Sequence, residues 1–131
     1  IISVANLDEA RGRIHISSSQ GPTRDGRSKP DVAAPGTGVV AARGFSADPE
    51  KRWLAMTGTS MASPFVTGVV GLMLAKERQL TAAQVEGIIR RTARPLPGAD
   101  FRWANDAGFG QIDPEACIRE AGLLFAREDR T

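Results

Sequence analysis

The chain has 131 residues, 41% hydrophobic and 24% charged, enough for one domain with a real core. Its formal net charge of +2, carried mostly by scattered arginines, is too small and dispersed to argue for nucleic acid. The single cysteine, Cys117, excludes an intrachain disulfide framework. The apolar run 65–75 is far short of the roughly 20 residues that span a bilayer.

Residues 1–5, "IISVA", are apolar and β-branched and predict a buried strand. The chain opens on this stretch with no initiator methionine and no signal peptide, so the expectation is a cut end, with any targeting segment outside it. "NLDEARGR" (6–13) reads as a turn or short excursion, and "SSSQGPTRDGRSKPD" (17–31), with its Gly-Pro, Asp-Gly and Lys-Pro breakers, as loop. A strand is expected at 38–42, a polar hairpin-like loop at 44–52 and a second strand at 53–57.

Three helices follow. The first is expected over about 60–76, with Pro64 tolerated in its first turn. Its apolar residues lie nearly all round, which predicts a central, buried helix, and Gly68 and Gly71 point to tight packing. The second, about 82–93, has a capping box in Thr81 and Gln84 and a hydrophobic staple in Leu80 and Val85. The third, about 114–125, has Asp113 as N-cap and Pro114 at its first position. Residues 94–111 form a long loop between the last two.

The junction before the first helix reads Gly58-Thr59-Ser60-Met61-Ala62-Ser63-Pro64. A serine there is ordinarily a helix cap. A cap does not need Gly58 on one side and Ala62 with Pro64 on the other. A nucleophile does, because a peptide backbone must approach it. A helix N-terminus also offers unpaired N–H groups to a developing oxyanion.

The segment "GTSMASPFVTGVVGLMLA" resembles the catalytic-serine segment of the subtilisin-like serine proteases, the subtilases. Three further blocks resemble the same family in order: "SSSQGPTRDGRSKPDVAAPG" (17–36), "LTAAQVEGIIRRTAR" (80–94) and "GFGQIDPEAC" (108–117). The resemblance covers nearly the whole chain. It implies an α/β fold, the C-terminal part of a doubly wound, mostly parallel sheet around a central buried helix that starts at Ser60. On this reading residues 1–131 are the C-terminal portion of the catalytic domain. Ser60 would be the nucleophile, its own N–H one arm of the oxyanion hole, and Thr59 and Gly58 the support of the turn. Where many members carry histidine after Ser-Pro, this chain has Phe65.

The family places its aspartate and histidine upstream of the serine. The lone histidine, His15, falls where the family has no catalytic histidine and reads as an ordinary hydrogen-bonding residue. Asn6 and Asn105 do not match the context of the family's oxyanion asparagine. Asp31, in Lys-Pro-Asp, reads as a turn or backbone-pairing residue, Trp53 and Trp103 as packing residues, and Cys117 as a core residue.

The expected partners are therefore the missing N-terminal part of the protease domain and a peptide or protein substrate, with no nucleic acid or membrane. The partly bared helix favours self-association of the chain alone. No cofactor is expected. The resemblance allows structural calcium, but no metal site is identifiable in the sequence. It also favours a secreted or periplasmic location over a cytoplasmic one. The chain alone is expected to be inactive. A competing reading is a non-catalytic subtilase-like binding or assembly module with Ser60 as a helix cap. A nucleophile-elbow hydrolase would need Gly-x-Ser-x-Gly, and position 62 is alanine.

Overall fold

The computed structural model describes residues 1–128. The sheet begins with β1 (Val4–Asp8), β2 (Arg13–Ile14) and β3 (Val32–Pro35), in spatial order β2-β1-β3. β1 and β3 are parallel, with Val4 opposite Val32 and Leu7 opposite Pro35. β2 folds back antiparallel on the end of β1, setting Leu7 against Ile14. The other edge of β3 is also taken. The Ala33 N–H donates to the Gly110 carbonyl at 2.8 Å, and the Ile112 N–H donates to the Ala33 carbonyl at 2.9 Å.

Side chains alternate across this sheet with a period of two. Val32 and Ala34 pack into the main core beneath the helices. Ala5, Leu7 and Ala33 form a smaller cluster with Ile14 and Leu96. β1 starts three residues later than the apolar pattern suggested and runs through Asn6 and Asp8, both buried. Both find partners in the strand: Asp8 pairs with Arg13 of β2, and the Asn6 N–H donates to Ser18 Oγ while its carbonyl accepts from the His15 N–H.

β4 (Val39–Ala42) and β5 (Trp53–Met56) form the expected hairpin, with Val39 opposite Met56 and Ala42 opposite Trp53. β5 is exposed throughout, so Trp53 is not the packing residue its composition suggested.

The helix α1 (Thr59–Lys76) packs on β1, β3 and the third helix. Its buried residues are Ala62, Val66, Val69 and Met73, spaced to make a single stripe. Phe65, Leu72 and Leu74 are exposed. A methyl group at Gly68 or Gly71 would meet nothing within 4 Å. The helix is therefore buried on one face in this chain, not all round. Pro64 is its sixth residue and lies beyond the first turn, so it cannot donate to the Ser60 carbonyl.

The helix α2 (Ala82–Thr92) starts with the predicted capping box. Thr81 Oγ1 accepts from the Gln84 N–H at 3.2 Å, and Gln84 Oε1 accepts from the Thr81 N–H at 2.8 Å. Val85, Ile88 and Ile89 form its buried stripe, and Leu80 joins the same core. In α3 (Pro114–Glu128), Asp113 Oδ1 accepts from the Ala116 N–H at 3.1 Å, as an N-cap does. Cys117 and Ala121 are buried in the main core.

Candidate active site

β5 ends at Met56, and α1 begins three residues later. Gly58 is the N-cap, and no side chain caps the helix. Its φ of 164° is extended backbone, and its carbonyl accepts from the N–H groups of Met61 at 3.0 Å and Ala62 at 3.3 Å. Ser60 lies in the first helical turn with an exposed side chain. Among the described residues its hydroxyl makes no hydrogen bond, and the N–H groups of Thr59 and Ser60 have no acceptor. The first turn carries no acidic side chain, so the positive end of the helix dipole is not offset there. The alternative expectation of Ser60 as a helix cap does not match this geometry.

The turn is held from below by residues the sequence did not single out together. The Gly58 N–H donates to the Gly36 carbonyl at 2.8 Å, and the Gly36 N–H to the Leu7 carbonyl at 3.1 Å. A methyl group on Gly36 would fall 2.6 Å from Asn6 Oδ1, 2.7 Å from the Gly58 carbonyl oxygen and 2.9 Å from Ala62 Cβ. Only glycine fits there. Asn6 is fully buried, and its Oδ1 accepts from the Thr37 hydroxyl at 3.0 Å. Its Nδ2 has no partner among the described residues. An asparagine between the apolar residues Ala5 and Leu7 was the available signal.

A cleft of about 270 Å³ opens beside Thr59, bordered by Ser3, Val4, Gln20, Gly21, Pro22 and Lys29. Lys29 belongs to a charge cluster centred on buried Asp31. That carboxylate accepts from the Ser3 N–H and Lys29 Nζ, each at 2.7 Å, and from Arg90 Nε at 3.0 Å. Glu86 accepts from Arg90 Nη2 at 3.0 Å. Burial alone pushes the Asp31 carboxyl up. The hydrogen bonds from Lys29, Ser3 and Arg90 together outweigh it and hold the carboxyl below its ordinary range. Asp31 thus pairs with the Ser3 backbone, one of the two roles its context suggested, and also ties the N-terminal segment to α2 through Arg90.

His15 is elsewhere, in a concavity with Asp8, Arg11 and Arg13. Its Nδ1 accepts from the Ser17 N–H at 3.1 Å and lies 2.8 Å from the Ser17 hydroxyl. Trp103 is half-buried and donates from Nε1 to the Pro30 carbonyl at 2.8 Å. Asn105 is exposed, its backbone carbonyl accepting from the Gly21 N–H. Among the described residues, no three side chains of His, Cys, Asp or Glu converge. Also among the described residues, no helix is long and apolar enough to cross a membrane.

Residues 1–110 match the model of the subtilase family, peptidase S8. The chain is 33% identical over 110 residues to the serine protease AprX of Bacillus subtilis, covering 77% of this chain and 24% of that protein. It is 36% identical over 94 residues to an extracellular protease of Xanthomonas campestris, covering 70% of this chain and 16% of the relative. Among solved structures, fervidolysin from Fervidobacterium pennivorans, a keratinolytic enzyme related to subtilisin, superposes with a TM-score of 0.72 at 29% identity. That match covers 91% of this chain and 19% of fervidolysin. A protease of Pseudoalteromonas arctica gives a TM-score of 0.74 at 28% identity, over 92% of this chain and 36% of the other. The chain thus spans about a quarter or less of these curated relatives.

Proposed function

Because this chain belongs to the subtilase family of serine proteases, we propose that it supplies the nucleophile of a subtilisin-type endopeptidase, with Ser60 as that nucleophile. The carrying observation is the uncapped start of α1, where an exposed, unbonded hydroxyl stands beside two N–H groups without acceptors. The Ser60 oxygen attacks a substrate carbonyl while a base takes its proton. The Ser60 N–H donates to the oxyanion, with Thr59 and Gly58 shaping the turn. An acyl-enzyme on Ser60 results, and water later releases the acid.

The base and its carboxylate partner come from the rest of the catalytic domain. His15, engaged with Ser17 in a separate concavity, does not serve. Residues 1–131 are the C-terminal portion of that domain, and its N-terminal portion is the partner that covers the bare side of α1. Without it the chain self-associates through the exposed Phe65, Leu72 and Leu74. The Xanthomonas relative is named as extracellular, which supports a secreted parent.

A fluorophosphonate probe read by mass spectrometry tests the reading. The isolated chain should remain unlabelled. The full-length protease, or this chain joined to the N-terminal portion, should be labelled at Ser60, and Ser60→Ala should abolish it. Stoichiometric labelling of the isolated chain would overturn the shared-domain reading. A full-length protein with no labelling at Ser60 would overturn the nucleophile assignment.

A further inference from the structure

Asn6 is the fully buried carboxamide nearest the serine turn. It stands on the helix-facing side of β1, between strand neighbours that are apolar. A buried amide with an unpartnered Nδ2 is costly, and a strand reading Val-Ala-Asn-Leu could have kept an apolar residue there. Asn6 is anchored on every other polar group. Its N–H donates to Ser18 Oγ at 3.0 Å, its carbonyl accepts from the His15 N–H at 2.9 Å, and its Oδ1 accepts from the Thr37 hydroxyl. The side chain is therefore fixed, and it presses on something that matters.

What it presses on is Gly36. Asn6 Oδ1, the Gly58 carbonyl oxygen and Ala62 Cβ converge on the face of Gly36 where a methyl group would stand. The Gly58 carbonyl is also the acceptor that closes the first turn of α1. A shift of the Asn6 carboxamide would thus move Gly36 and Gly58 together. The direction of the Ser60 N–H would move with them.

We propose that Asn6 is a positioning residue for the Ser60 turn, acting through Thr37, Gly36 and Gly58. The inference rests on the assignment of Ser60 as nucleophile. Its effect falls on turnover and not on substrate affinity, because the Ser60 N–H matters most to the charged transition state.

The test uses the full-length protease, with active sites first titrated by the fluorophosphonate probe. A wild type unlabelled at Ser60 would overturn the nucleophile reading, and this inference with it. Given a labelled wild type, Thr37→Val keeps the shape of Thr37 and removes its donor, Thr37→Ser keeps the donor, and Asn6→Ala removes the carboxamide. Asn6→Ala and Thr37→Val should each lower kcat per titrated site roughly 10-fold, with KM within about twofold of wild type. Thr37→Ser should restore wild-type kcat. The double variant should be no slower than either single one, since both act through one contact. The proposal is overturned if both single variants lower the melting temperature while kcat per titrated site stays within about twofold of wild type. It is equally overturned if KM rises and kcat does not fall.

Discussion

Replacing both Gly68 and Gly71 by alanine should have opposite effects in the isolated chain and in the full-length protease. Both glycines lie on the side of α1 where a new methyl group meets nothing within 4 Å. In the isolated chain, diluted until it is monomeric, only helix propensity changes, and alanine is favoured over glycine by about 1 kcal/mol per site. The double variant should gain about 2 kcal/mol there. If the rest of the domain covers this face, as proposed above, each added methyl forces packed atoms apart there at about 1–3 kcal/mol. The propensity gain is then cancelled or exceeded, leaving a net loss of up to about 4 kcal/mol for the pair. Urea denaturation followed by far-ultraviolet circular dichroism reads both cases. The full-length measurement should be made in a Ser60→Ala background, so that self-digestion does not shorten the protein. Stabilisation of similar size in both proteins would refute the reasoning, because it would mean that nothing covers this side of α1.

Asp31→Asn in the full-length protein should cost about 1–3 kcal/mol, since it removes the buried charge that accepts from Lys29, Ser3 and Arg90 and leaves Glu86 as the only anion facing both cations. The wild-type carboxyl titrates below its ordinary range. Its stabilisation is therefore complete above the unfolded pKa of about 4 and is lost as pH falls through the lower folded value. Urea midpoints at a series of acidic pH values should decline in the wild type and lack that component in the variant. Cys117 is buried within 3.3 Å of Thr92 Oγ1, and burial pushes its thiol up. A chromogenic disulfide reagent should therefore react with it only as fast as the protein unfolds, and rapid stoichiometric reaction under native conditions would contradict its place in the core.

Features written in local sequence were legible. The capping box of α2 and the Asp113 cap of α3 need only residues three apart. The hairpin of β4 and β5 needs only its own loop. The serine segment carries a specific pattern, and the matching family and fold agree with that resemblance. The misreadings come from distant partners. Asn6 looked like a turn residue because β3, which pairs with its strand, lies far along the chain. The ion pair of Asp31 with Arg90 was not legible because Arg90 lies far along the chain, on α2. The apolar pattern of α1 was clear, but an all-round pattern cannot say which side is filled by this chain. The stripe of Ala62, Val66, Val69 and Met73 was chosen by the sheet beneath it.

Ala33 sits at the centre of the sheet, with β1 on one side and Gly110–Ile112 on the other. Its two neighbours come from opposite ends of the chain. The hairpin and the capped helices can form from nearby residues in microseconds. The sheet cannot, because both of its central pairings close long loops before any contact repays them. The rate at which this sheet forms is thus set by a search between segments far apart in sequence. Better helix formers in α2 or α3 would make the folded protein last longer, while the time to reach it would hardly change.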